Sequence, residues 1–91
     1  MDNRTIAQRL VAHARELEGQ HVNLYRIRAY RRAAETVLGL DRPVEAIVGE
    51  TGRRGLRRLP GIGSSLAEKI ESLVRTGDFA TVNDEELAIP V

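Results

Sequence analysis

The sequence predicts an all-α fold, a compact bundle of four to five short helices containing a helix-hairpin-helix turn. Three observations carry this expectation. Apolar residues recur three and four apart along each long segment, and no segment alternates convincingly with period two. Glycine and proline punctuate those segments, at Gly19, Gly39, Pro43, Pro60, Gly61, Gly63 and Gly77. The aromatic residues are Tyr25, Tyr30 and Phe79 alone, so the core is built from Leu, Ile, Val and Ala.

The elements follow in chain order. Over 4–18, Ile6, Leu10, Ala14 and Leu17 hold helical spacing, widened by Ala7 and Val11. Asp2 or Asn3 can cap this helix and Gly19 can end it. Over 24–38, Ile27, Tyr30, Ala34, Val37 and Leu38 form an inner face, with Asn23 as cap and Gly39 as stop. The outer face carries Arg28, Arg31, Arg32 and Glu35. Pro43 suits the first turn of a short helix with Val44, Ile47 and Val48. Residues 53–58 allow about one further turn. Over 64–76, Leu66, Ala67, Ile70, Leu73 and Val74 point inward and Gly77 stops the helix. Ser64 or Ser65 can cap its start, and Ser65 with Glu68 has capping-box spacing. Phe79 can fold back on the last turn. The expected domain is residues 1–79, followed by an acidic tail over 80–91.

Length and composition narrow the function. At 91 residues the chain holds one domain, too little for a polymerase or a two-domain enzyme. A 42% hydrophobic and 30% charged composition is a soluble globular balance. No apolar run approaches a membrane span and the first residues have no signal core, so a cytoplasmic protein without membrane contact is expected. There is no cysteine, which rules out disulfides and thiolate metal sites. His13 and His21 stand without a carboxylate or cysteine cluster and do not point to a metal.

The net charge of +1 conceals an asymmetry. Residues 1–21 sum to zero, 22–77 to +5 and 78–91 to −4. A basic middle points to a polyanion, although a solvated helix face gives the same pattern. Of the 14 basic side chains, Lys69 is the one lysine. Arginine stays protonated, whereas an amine can deprotonate and attack a carbonyl, so amine chemistry in this chain centres on Lys69.

The LPGIGSS stretch, residues 59–65, joins two short helices. At the start of the second, amide groups lack intrahelical acceptors and the helix dipole is positive. Gly61 and Gly63 let a phosphate approach the backbone, with Ile62, Ser64 and Ser65 beside them and Arg57 and Arg58 flanking. Such contacts position a duplex without reading bases. An ordinary helix–helix turn that binds nothing is the alternative.

Three stretches, TIAQRLVAHARELEG, YRIRAYRRAAETVLGL and LRRLPGIGSSLAEKIESLVRTGDF, together resemble the N-terminal domain of family X DNA polymerases, the lyase-type domain of polymerase beta. The resemblance covers roughly residues 3–79 and leaves out the polymerase domain. It implies a helical bundle with the hairpin between the last two helices. It implies Lys69 as the Schiff-base nucleophile of a deoxyribose phosphate lyase, with Tyr30 bordering that site. Arg26 and Arg57 then face the 5′-phosphate, and the backbone carbonyls of Arg57, Leu59 and Ile62 hold a monovalent cation, sodium or potassium. No other cofactor is implied. Tyr25 and Ser65 depart from the family, standing where polymerase beta has a histidine and a second lysine. The stretch between residues 40 and 56 is also longer than in that enzyme. Ser65 and Lys69 are expected to share a face pointing away from the apolar stripe, with Glu68, Glu71 or water as the proton-abstracting base.

The function expected is DNA binding without sequence preference, in repair of gapped, nicked or abasic DNA. It would use Gly61, Ile62, Gly63, Ser64, Ser65, Arg57, Arg58, Arg26, Arg28, Arg31 and Lys69. The alternatives are an abasic-site lyase acting through Lys69 and a protein-interaction domain. A monomer is expected, working on DNA with a separate polymerase or nuclease.

Overall fold

The structure, a computed structural model, describes residues 1–21 and 23–79; the expected acidic tail over 80–91 lies outside them. Five helices follow one another: α1 (Asn3–Gly19), α2 (Leu24–Leu38), α3 (Val44–Thr51), α4 (Arg53–Leu56) and α5 (Ser64–Thr76). There is no strand among the described residues, and the all-α bundle is as the sequence predicts.

Local chemistry sets the helix ends. Asp2 caps α1, its Oδ1 accepting from the Thr5 amide at 2.8 Å, and Asn23 caps α2, accepting from the Tyr25 amide at 2.8 Å. Asn3, the other candidate cap, instead ties α1 to α3. It donates to the Arg42 carbonyl at 2.8 Å and accepts from the Val44 amide at 2.7 Å. Pro43 precedes the first turn of α3 as its N-cap, offering no side-chain cap bond, so the Asn3 bond supplies an acceptor there. Gly19 does not stop α1. The chain turns at Gln20 and at His21, which takes a left-handed φ of 56°. Gly77 ends α5, its amide donating to the Leu73 carbonyl at 2.8 Å.

The helices bury one continuous aliphatic core. α1 gives Ile6, Ala7, Leu10, Ala14 and Leu17; α2 gives Ile27, Tyr30, Ala33, Ala34 and Val37; α5 gives Leu66, Ala67, Ile70 and Leu73. α1 and α2 run antiparallel: Glu18 meets Arg31, His13 meets Tyr30, and Ala7 shares a groove with Leu38. Short links between helices favour that arrangement. α4 lies so close to α3 that a Cβ on Gly55 would collide with Thr51 Oγ1 and sit 2.9 Å from Ile47 Cγ2. Only glycine fits this contact without a shift.

Two sequence expectations, for Leu38 and Lys69, are corrected here. Leu38 is 61% exposed rather than inward. It lies about 100° past Val37 around α2, beside the small residues Ala7 and Ala12, which leave a groove in front of it. Phe79 folds back against the core, where its ring meets α1 and α2. Its ring centroid lies 5.2 Å from His13 and 6.4 Å from Tyr30, with the Arg9 guanidinium 5.8 Å above it. Lys69, expected to point outward, is 1% exposed. At about 100° per residue it lies only about 40° from Leu73 around α5, at the edge of the apolar arc, and the packed helices cover that edge as well.

Candidate nucleic-acid interface

The hairpin is residues 59–63, between α4 and α5. One apolar side chain seats it: Ile62 is 4% exposed within the core, while Pro60, Gly61 and Gly63 stay at the surface. A turn bond from the Ile62 amide to the Leu59 carbonyl, 3.2 Å, closes the loop. Gly61 takes the left-handed φ of 77° that a side chain disfavours. α2 grips the hairpin from the side. Thr36 Oγ1 donates to the Pro60 carbonyl at 2.8 Å. Arg32 lies along Gly61, where an added Cβ would come within 2.9 Å of its Nε and 3.0 Å of its Cγ and Cδ.

The first turn of α5 opens beside this contact. Neither Ser64 nor Ser65 caps it; the N-cap is Gly63, with extended backbone and no side-chain cap bond. The first bond into the helix runs from the Ala67 amide to the Gly63 carbonyl, 2.9 Å. The amides of Ser64, Ser65 and Leu66 precede it. Among the described residues no backbone or side-chain acceptor meets those of the two exposed serines. The serines lose the capping role because both lie inside the helix, one and two residues past the capping position.

The basic side chains divide into two sets. Arg31 is paired with Glu18 on α1, and Arg42 with Glu50. Arg53 reaches Glu71 at 3.2 Å and Glu68 at 3.8 Å, and Arg75 reaches Glu71 at 3.5 Å. Arg9 reaches Asp78 at 3.6 Å. By contrast, Arg4, Arg15, Arg28, Arg32, Arg54, Arg57 and Arg58 are exposed and make no ion pair among the described residues. Of these, Arg32 lies on Gly61, while Arg57 and Arg58 border the hairpin in sequence. Arg28, Arg32 and Thr36 follow one another at four-residue steps, one stripe of α2 that meets the hairpin. Arg26 is half-buried. Arg31 therefore belongs to the α1–α2 seam. Arg32 is the residue that the sequence-based site set lacks; its i, i+4 relation to Thr36 was legible, but not that this stripe meets the hairpin.

Around Lys69 the picture is one of enclosure. Tyr30 is 2% exposed, its ring 4.7 Å from that of His13. Tyr25, by contrast, is 82% exposed. Of the two carboxylates considered as bases, Glu71 is held between Arg53 and Arg75 and Glu68 is half-buried.

The carbonyls of Arg57, Leu59 and Ile62 fit a sodium or potassium ion in kind, being neutral oxygen donors from one short loop. The Leu59 carbonyl already accepts the Ile62 amide, and no backbone amide among the described residues donates to the other two.

A comparison with curated proteins finds no match. The family described as helix-hairpin-helix domain matches residues 1–79, the five helices and the hairpin together. A loop seated by Ile62 and followed by an uncapped helix is the local form of that match, and the chain belongs to the helix-hairpin-helix domain family.

Proposed function

We propose that this domain binds DNA through the phosphate backbone, without reading base sequence. One observation carries the proposal: Arg32 lies on Gly61, beside the uncapped first turn of α5. Arg32 thus borders the hairpin that leads into two amides with no acceptor among the described residues, and a guanidinium and free amides are the two kinds of group a phosphate oxygen takes. Arg28 extends the same side along α2, and Arg57 and Arg58 border the hairpin in sequence. Gapped, nicked or abasic DNA in repair is the setting we infer, with a separate polymerase or nuclease acting on the strand held here. A sodium or potassium ion on the carbonyls of Arg57, Leu59 and Ile62 would add positive charge to the hairpin.

Binding of fluorescent duplexes with and without a gap, at increasing salt, tests the reading. About 5 phosphate contacts imply a log–log slope near −4.5, so affinity falls about 500-fold between roughly 50 and 200 mM salt. Duplexes of unrelated sequence should bind alike. No binding at low salt would leave the protein-interaction reading instead.

A second reading, a deoxyribose phosphate lyase, draws on the burial of Lys69, since a lysine this enclosed is unusual on a small domain. Its Nζ would condense with the sugar's C1′ aldehyde, losing water. Proton removal from C2′ of that imine would then expel the 3′ phosphate. Borohydride reduction of the imine on abasic DNA would leave a covalent adduct, absent in Lys69→Arg. Lack of adduct with intact DNA binding removes the lyase and keeps the binding domain.

A further inference from the structure

A second surface lies away from the hairpin. Arg4, Ala7, Gln8, Val11, Ala12 and Arg15 of α1 and Leu38 of α2 line an apolar groove of about 410 Å³. The α2 stripe that grips the hairpin, Arg28, Arg32 and Thr36, is on another side of that helix. Leu38 lies about 160° from Thr36 around the axis, two residues on and at about 100° per residue. A 61% exposed leucine at the groove wall is a cost in water that a covering apolar side chain would relieve. Arg4 and Arg15 bracket the groove, and neither makes an ion pair among the described residues. An occupant matching these features carries apolar side chains next to carboxylates.

We propose that residues 84–89 of this chain, Asp-Glu-Glu-Leu-Ala-Ile, occupy the groove. The apolar side chains of Leu87 and Ile89 would cover Leu38 and Val11, and the carboxylates would meet Arg4 and Arg15. Two observations select this occupant. Residues 80–91 carry three acidic and no basic side chains, the complement of a groove whose two guanidinium groups make no ion pair among the described residues. Their starting point lies on α1, because Phe79 packs on His13 and Asp78 reaches Arg9, but His13 is about 160° from Val11 around that helix, so the segment must pass around its flank. Eight residue steps lead from Phe79 to Leu87. Extended, they reach about 26 Å, more than the 21 to 22 Å cross-section of the molecule.

The docking leaves the hairpin open, so its test is independent of DNA. The chain has no cysteine, so Val91→Cys gives one attachment point for a nitroxide on the full-length protein. Amide signals of Ala7, Val11, Ala12 and Leu38 should broaden, while those of Arg28, Gly63 and Ser64 keep their intensity. The pattern should vanish in a labelled chain that also carries Asp84→Asn, Glu85→Gln and Glu86→Gln, and in one with Leu87→Ser and Ile89→Ser. These changes lie outside the described residues, and an unchanged helical circular-dichroism spectrum and melting temperature check that the bundle is intact. Broadening centred on Gly63 and Arg28 overturns the proposal in favour of a tail lying on the hairpin. Uniform weak broadening overturns it outright. Broadening of unlabelled isotope-enriched chains mixed with labelled ones assigns the groove to a second copy instead.

Discussion

At the scale of single residues, the two hairpin glycines look interchangeable in sequence and are not. Gly61 has a φ of 77° and Arg32 packed where its Cβ would stand; Gly63 has a φ of −91° and open space around it. Gly61→Ala should therefore lower unfolding stability by about 1–2 kcal/mol, from left-handed strain alone, and weaken DNA binding by displacing Arg32. Gly63→Ala should leave stability within about 0.5 kcal/mol. Urea unfolding of both variants checks this, and equal losses would count against left-handed strain at Gly61. Lys69 gives a second test at this scale. It is the one lysine, and it is 1% exposed. Reductive methylation of the native protein should modify the Met1 amine and spare Lys69, and both should react in urea. Rapid native-state modification of Lys69 would mean that its enclosure opens readily, which a lyase would need.

Among the elements, those with local signals were legible. Asn23 and Gly77 mark helix ends by side-chain and backbone chemistry that neighbouring residues set, and α2 and α5 run over the predicted 24–38 and 64–76. Ile62 and the glycines around it likewise announced the hairpin. What sequence did not give is decided by how elements meet. Lys69 is hidden because the apolar arc of α5 is covered past its aliphatic edge, and Leu38 is exposed because α1 presents small residues opposite it. Arg32 joins the site because α2 packs on a loop far along the chain. The start of α1 carries the pH prediction. The Thr5 hydroxyl and amide beside Asp2 hold its carboxyl below its ordinary pKa. A depressed carboxylate pKa adds stability above the unfolded value and loses it as pH falls through the folded one. Melting temperature should thus drop as pH falls below about 4, and Asp2→Asn should flatten the part of that limb due to Asp2. An unchanged acid limb would show that this cap does not contribute there.

Over the whole molecule, charge is informative only once its ion pairs are subtracted. A net charge of +1 gives no reason to expect a polyanion partner. Carboxylates occupy Arg9, Arg31, Arg42, Arg53 and Arg75: Arg31 and Arg53 each join two helices, Arg9 ties α1 to Asp78, and Arg42 and Arg75 pair within or beside one helix. Arg28, Arg32, Arg57 and Arg58 keep their charge exposed, and Arg32 stands at the hairpin itself. These two sets should behave differently on DNA. Replacing Arg32 or Arg57 by Ala should weaken binding to the same extent on unrelated sequences, because phosphates carry no base information. Each should also reduce the steepness of the salt dependence by about 1 on the log–log plot. The gap between wild type and variant then narrows about 3-fold between roughly 50 and 200 mM salt. Arg42→Ala, which removes an ion pair to Glu50 and no candidate contact, should leave affinity and slope unchanged. If Arg42→Ala matches Arg32→Ala, the attraction is diffuse and the hairpin has no special part in it. Separate slopes instead locate the phosphates at the turn where α2 meets Gly61.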